Sequence, residues 1–570
     1  MGYYISNYFR RKSILMPYIA FINESKTVSK GIAIEEGTTI LEAARTAGVI
    51  IESPCNGMNT CGKCGVRLPN PEDLRFIRVK GEPELETGGT VFACRARVFG
   101  PIEVAVKDYS EENLTLQIVD RGASFSYPKA PFITKKVSGK NTQVYGGPML
   151  LGTEEGDTEA SLYGLAVDIG TTTIVASLAD LHTGAELACG SILNPQTRYA
   201  QDVLSRIHFA GQDGGLASLY QVFIESLHTL IAGMVRRTGI NPRHIYEAVY
   251  SGNTAMLHLA TETDPFPLGQ YPYTPRIWGG NHIPAAALEI SEFGLIYLPP
   301  IISAFVGADI TSGILASRLD EVKGITLFID VGTNGEIVLA KEGNLAAAST
   351  AAGPAFEGMN IICGMRANKG AVEAFCIDAE EKPSFRVIGG GPAIGICGSG
   401  LIDIAGELVR TGVIEASGRF APPGTGNYGE SLKRRIGEKD GKPAFFLTPD
   451  VCLAQQDIRQ IQLAKGAIRA GIDMLLAHFG IPSQKVDQVE IAGSFGYHLN
   501  EKSLLNLGLL PRDFEGKVRF AGNTSMSGGI AFLLNTGFRE KMSRVVKRIE
   551  PIELAKGADF EEVFIERLAF

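Results

Sequence analysis

Four cysteines stand together near the front of the chain: Cys55, Cys61, Cys64 and Cys94, in the spacing C-x5-C-x2-C-x29-C. Thiolates in such a set can hold iron or zinc. Cys61 and Cys64 alone would fit a zinc site, but zinc knuckles usually pair two C-x2-C units, and this stretch has one. Three ligands on one loop and a fourth from a distant strand are what a [2Fe–2S] cluster requires. Gly57, Gly62 and Gly65 let backbone pass close to the sulfurs, and N–H groups aimed at sulfur tune the potential. The other cysteines, Cys189, Cys363, Cys376, Cys397 and Cys452, are scattered singly and read as buried small apolar residues. An odd count of nine is no disulfide framework and suits a reducing cytoplasm with one metal site.

A second set of residues could hold phosphate. Asp168-Ile-Gly170-Thr171-Thr172-Thr173 and Asp330-Val-Gly332-Thr333-Asn334-Gly335 each follow an apolar strand and precede another. Glycine lets N–H groups approach phosphate oxygens, threonine adds hydroxyl donors, and the aspartate can hold Mg²⁺ directly or through water. One such turn is weak, because hairpins use Asp and Gly anyway; two in the same setting are strong. Asp168 and Asp330 are therefore the candidate catalytic pair. Gly493-Ser494-Phe495-Gly496 and Gly398-Ser399-Gly400 both stand between a strand and a helix, where free N–H groups favour anions; tight strand–helix packing is the alternative, above all for the second. Ser251–Thr254 and Gly522–Thr524 are similar turns with less to distinguish them. Glu357, in GPAFEGMN, is either an orienting group for an attacking water or a turn carboxylate.

These residues need elements to position them. At 570 residues the chain is too long for one core. The pattern is α/β and multidomain. Residues 1–110 read as a small [2Fe–2S] ferredoxin-like domain with a hairpin, then a helix over ILEAARTAGV capped by Thr38 or Thr39. Residues 111–160 are polar and weakly periodic, a linker with one or two short strands. Residues 161–570 carry an internal repeat, GLAVDIGTTTIVASLAD against TLFIDVGTNGEIVLAKE, hence a duplicated domain. A net charge of −8 argues against a nucleic-acid partner. No apolar run is long enough for a membrane span, and the first residues lack a secretion-signal core.

The two turns and the Gly493 cluster resemble the ASKHA superfamily of actin, hexokinase and the heat-shock chaperones. That resemblance implies two lobes closing on ATP and Mg²⁺. It assigns Gly170, Thr171, Thr172 and Thr173 to one phosphate motif, Gly332, Thr333, Asn334 and Gly335 to the other, and Gly493, Ser494 and Gly496 to the adenosine motif. With the cysteine loop CNGMNTCGKC, and with NPQTRYAQDVLSRI, SGNTAMLHL, AAGPAFEGMNI, GICGSGLIDI, DIRQIQLAKGAIRAG and GNTSMSGG, the whole chain resembles the reductive activators of corrinoid proteins. The fold this implies is a β-grasp ferredoxin domain joined to an ASKHA ATPase domain. The activity it implies is ATP-dependent reduction of Co(II) corrinoid to Co(I), on a partner serving a methyltransferase or acetyl-CoA pathway. A reductase or ferredoxin would donate the electron to a cytoplasmic homodimer. The family often has a further small domain between its two parts, where only 111–160 stands here, and the C-terminal [4Fe–4S] cysteines of some members are absent. The x5 loop spacing resembles the adrenodoxin type.

A plant-type cluster sits near about −400 mV. Reaching an acceptor about 150 mV lower takes roughly 3–4 kcal/mol for one electron, which ATP-driven closure can supply through differential binding. Joining a ferredoxin to an ATPase thus points to uphill transfer, with the ferredoxin domain swinging on 111–160. Three other readings fit less well: an activator of another low-potential enzyme such as a dehydratase, a redox-sensing chaperone-like switch, and a small-molecule kinase with an accessory ferredoxin.

Overall fold

The computed structural model describes the chain outside residues 1–15, 23–27, 52, 54–56, 58, 60–62, 80–89, 107–121, 123–124, 423–425, 427, 494–498 and 555–558. Two compact units result. The first takes Met1–Thr115 with Pro195–Gln212, the second Leu116–Asn194 with Asp213–Phe570.

In the first unit, alternation along Tyr18–Ile22 buries Ile19 and Phe21. That strand pairs antiparallel with Val28–Ala33 and parallel with Ile102–Ala105, and Gly65–Arg67 and Thr90–Phe92 complete five strands. The helix Ile40–Ala47 adds Ile40, Leu41, Ala43 and Ala44 to the same core. Its start is a capping box: Glu42 N–H donates to Thr39 Oγ1 at 3.1 Å, and Thr39 N–H donates to the Glu42 carboxylate at 2.9 Å. Gly48, at φ 67°, ends it in the left-handed conformation. Thr39, not Thr38, is the cap. The arrangement is the β-grasp expected from the sequence.

The second unit contains two six-stranded sheets built on one plan. In the first, Glu186–Leu193, Thr173–Asp180 and Tyr163–Ile169 form an antiparallel meander, which Ile245–Gly252 and Leu295–Leu298 extend in parallel. In the second, Asn344–Thr350, Gly335–Lys341 and Ile325–Val331 form the meander, and Gln488–Ala492 and Val518–Gly522 extend it. Each Asp-x-Gly-Thr turn is the hairpin between the two inner meander strands, so the sequence repeat is a true repeat of architecture. Among the described residues, no helix is long and apolar enough to cross a membrane.

The stretch 111–160 differs from a linker. Ile133–Ser138, Asn141–Gly146 and Met149–Glu155 form a three-stranded antiparallel sheet. Ile133 and Val144 are fully buried in one core with Leu162, Tyr246 and Phe532. Just before it, Ala130 N–H donates to Leu534 O at 2.8 Å and Thr536 N–H to Ala130 O at 2.9 Å. Residues 125–155 are therefore integral to the second unit, held by backbone bonds that a polar composition does not reveal. The part left for a tether, 107–121, lies outside the described residues.

Candidate nucleotide cleft and thiol site

The two repeat hairpins open onto one cleft of about 210 Å³. Asp168, Gly170, Thr171, Thr172 and Thr173 line it from the first turn, Asp330, Gly332, Thr333 and Asn334 from the second, and Gly493 from the strand end beside them. Each turn is closed by a bond from its glycine: Gly170 N–H donates to Thr173 O, three residues on, and Gly332 N–H to Asn334 O, two residues on, each at 3.0 Å. Gly493 is required where it stands. At φ +113°, a Cβ there would lie 2.6 Å from Val331 O and 3.2 Å from Asp330 Oδ1. Ser494 and Gly496 lie outside the described residues. Gly335 does not line the cleft. Its missing Cβ makes room for Ile468 and Thr350, at 2.7 and 2.8 Å, so it is a packing glycine. Gly398 and Ser399 do line the cleft, although Gly398 also serves packing, with Phe356 O at 1.8 Å from a Cβ built there.

The floor of the cleft is acidic, and more so than its sequence motifs announce. Asp168 is held by two donors, Asn523 Nδ2 at 2.8 Å and Ser525 Oγ at 2.7 Å. Burial raises its carboxyl above the ordinary range against those two bonds. Burial and then the charge of Asp168 push Asp330 up to about 7. Asp309, at the start of the helix Ala308–Ser317, is pushed up to about 8 by burial and then by Asp330. Glu336 is raised by burial and by the same two neighbours. Like charges gathered out of water cannot all ionise.

Asp309, Glu336 and Ser525 are site residues that no turn motif singles out, whereas Asn523 lies in one of the similar turns. Asn523 and Asn253 belong to the two Gly-Asn-Thr turns, where each caps a helix by accepting from a methionine N–H. Their amides also reach the first phosphate turn: Asn523 to Asp168, and Asn253 Nδ2 to Thr171 Oγ1 at 3.3 Å. That repeated turn was the available signal.

Hard oxygen donors suit Mg²⁺, which keeps several waters and takes one or two carboxylates plus substrate phosphates. The cleft fits that mode: no three His, Cys, Asp or Glu among the described residues gather into a metal cage. Asp168 and Asp330 are the two turn carboxylates that line this cleft. Glu357 lines the same cleft, and its carboxylate accepts from both Thr172 and Thr333. It joins the two turns across the cleft.

Crowding of this kind weakens the metal-free fold. The unfolded value for Asp is about 3.9, and Asp309 stands at about 8 when folded. The folded state therefore binds the extra proton between those values, and stability falls as pH rises through that window. Asp309→Asn removes this term. The metal-free variant is expected to melt higher at pH 8, by about 2 °C or more, with the difference vanishing below about pH 4. Calorimetry of both proteins across that range checks it; equal melting temperatures at pH 8 would refute it.

In the first unit, Cys64 and Cys94 bring their Sγ atoms to 3.3 Å without a bond, against about 2.05 Å in a disulfide. Cys64 is buried and Cys94 half-buried. Gly57, at φ +87°, lies against them: a Cβ there would stand 3.2 Å from Leu41 Cδ2 and 3.8 Å from Cys94 Cβ. Asn59, also at positive φ, has Oδ1 4.0 Å from Cys94 Sγ and accepts from Arg95. Two thiols that converge without forming a disulfide, with Gly57 and Asn59 beside Cys94, fit half of a four-thiolate cluster. Cys55 and Cys61 lie outside the described residues.

A β-grasp thiol domain followed by a duplicated ASKHA fold around an acidic phosphate cleft defines an iron–sulfur ATPase. Comparisons with known proteins agree segment by segment. Residues 26–99 match the family model for a 2Fe-2S iron-sulfur cluster binding domain, 163–322 the RACo middle region, and 324–570 the C-terminal domain of RACo, the ASKHA domain. The corrinoid activation enzyme RamQ of Eubacterium limosum is 33% identical over 426 residues, 73% of this chain and 71% of that one. A [Co(II) methylated amine-specific corrinoid protein] reductase of Methanosarcina barkeri is 26% identical, over 72% of this chain and 77% of its own. A solved structure of a reductive activator for corrinoid, iron-sulfur protein superposes with a TM-score of 0.70 at 30% identity, covering 97% of this chain and 98% of that one. The chain belongs to the family of reductive activators of corrinoid proteins.

Proposed function

We propose that this protein reduces the Co(II) corrinoid of a partner protein to Co(I), one electron at a time, with ATP hydrolysis driving the transfer. The observation that carries the reading is the presence in one chain of a converging thiol pair, Cys64 and Cys94, and of a cleft in which two phosphate turns face buried carboxylates. The thiol set of Cys55, Cys61, Cys64 and Cys94 holds a [2Fe–2S] cluster, which when bound supplies the single electron for cobalt. Thr171, Thr172, Thr173, Thr333 and Asn334 receive the phosphates, Gly170, Gly332 and Gly493 keep the backbone close to them, and Ser494 and Gly496 belong to the adenosine motif. Asp168 and Asp330 serve Mg²⁺. Glu357 releases Thr172 and Thr333 to phosphate and orients the attacking water.

Residues 1–110 act as the electron-carrying part and 161–570 as the ATPase part. A reductase or ferredoxin supplies electrons to a homodimer in the cytoplasm, and the corrinoid partner serves a methyltransferase or acetyl-CoA pathway. Hydrolysis drives transfer because the nucleotide states hold the acceptor differently, and only differential binding can shift such an equilibrium.

The test is direct. Reconstituted protein with a Co(II) corrinoid protein, a low-potential reductant and ATP is expected to yield the Co(I) absorbance. Omission of ATP is expected to leave Co(II), and the corrinoid protein is expected to stimulate ATP turnover. ATP-independent Co(I), or phosphorylation of a small acceptor in place of hydrolysis, would point to another reading.

A further inference from the structure

The cleft holds a cation that the reading above does not use. Six carboxylates line it, and among the described residues of its lining the one basic side chain is Arg366. The Nη1 of Arg366 is buried and has no hydrogen-bond acceptor. A guanidinium surrounded by carboxylates should find a partner easily, so its isolation needs a reason. Two acids carried by the adjoining segments are already engaged. Glu357 accepts from Thr172 and Thr333, and Glu373 accepts from Arg386 Nε at 2.7 Å.

The backbone explains why Arg366 is held there. Residues 358–365 form a loop closed at its neck. A Cβ on Gly358 would stand 2.5 Å from Met365 O, and one on Gly364 would stand 2.0 Å from Gly358 O. Met365 N–H donates to Ile396 O at 2.8 Å and Ile396 N–H to Cys363 O at 2.8 Å, which fixes the loop to the small sheet beneath. Glu357 and Arg366 therefore flank a pinched neck and face one cleft together, although eight residues separate them in sequence.

We propose that Arg366 is a catalytic residue of ATP hydrolysis, donating its free guanidinium N–H to the γ-phosphoryl oxygens while Glu357 beside it orients the water. The inference rests on the ATPase reading of the cleft and assigns a role to a residue that the phosphate motifs do not contain. In the step, the water oxygen bonds to the γ-phosphorus. The bond from that phosphorus to the β,γ-bridging oxygen breaks, and its electron pair leaves with ADP. The products are ADP, inorganic phosphate and one proton, which passes through a carboxylate to solvent. Arg366 gains and loses no proton. It offsets the charge that gathers on the equatorial oxygens as they separate, as a cis arginine does in other phosphoryl-transfer sites. A fixed, water-poor donor of this kind is typically worth about 100- to 1000-fold in kcat.

The full chain tests this with Mg²⁺–ATP, Mg²⁺–ADP, and Mg²⁺–ADP with aluminium fluoride as probes. Arg366→Ala is expected to lower kcat for hydrolysis by about 100- to 1000-fold. It is expected to keep Mg²⁺–ADP affinity within a factor of about three and to lose the extra affinity for the aluminium fluoride complex. Arg366→Lys, a point charge without the fork, is expected to recover part of the rate. A variant that merely loosens the fold would lose Mg²⁺–ADP as well, and that result, or hydrolysis by Arg366→Ala near the wild-type rate, overturns the assignment. If the wild-type chain hydrolyses no ATP, the ATPase reading falls first and this proposal with it.

Discussion

Asp330→Asn is expected to slow ATP hydrolysis by about 100-fold or more while leaving the absorbance of the iron–sulfur domain unchanged. The two motif aspartates are chemically unequal. Asp168 is clamped by Asn523 and Ser525, which suits an oriented anion beside a metal ion. Asp330 receives no side-chain hydrogen bond among the described residues and is poised at about 7 by burial and by Asp168. A protonated Asp330 cannot hold Mg²⁺, so the ion competes with that proton. Its folded value is raised, so the ionised, metal-holding form gains population as pH climbs through about 7. At limiting Mg²⁺, wild-type turnover should therefore rise over that interval, and the Asn variant should lose the rise along with the rate. Steady-state hydrolysis from pH 6 to 9 measures both. A variant within threefold of wild type, or one that keeps the same pH limb, would assign the ion to another carboxylate.

Cys64→Ser is expected to bring cobalt reduction down to background and to bleach the iron–sulfur absorbance, with Mg²⁺–ATP affinity unchanged. Cys64 and Cys94 are the described pair of the proposed ligand set, and Cys64 sits in the apolar core of its unit. Serine there offers a hard alkoxide precursor in place of a soft thiolate, so the site loses a ligand. The phosphate cleft lies wholly in the other compact unit, and nucleotide binding should survive. Spectroscopy, a nucleotide titration and the Co(I) absorbance read the three consequences separately. Persistent Co(I) formation would mean that the electron reaches cobalt by another path.

What the sequence by itself determined was chiefly local. Cysteine spacing, the glycines around it and the two Asp-x-Gly-Thr turns are backbone signals, readable because a tight turn or a ligand loop restricts its own residues. The repeat was legible because both hairpins obey the same restriction. The stretch 111–160 reads as a linker with one or two short strands, because a short strand such as ITKKVS looks like coil and because Ala130 is anchored to Leu534 and Thr536, some four hundred positions away. Gly335 makes room for Ile468 and Thr350, a packing demand that the turn pattern does not reveal.

Tertiary structure alone decided the electrostatics of the cleft. Asp309 carries no motif of its own, and Asn523 and Ser525 reach Asp168 from positions 355 and 357 residues further along the chain. The protonation of Asp168, Asp309, Asp330 and Glu336 follows from their shared burial, which no spacing encodes. The same holds for the pair at the neck of the 358–365 loop. The chain order names an acid and a base, whereas the fold engages Glu357 with two threonines and leaves Arg366 with a buried N–H that has no acceptor.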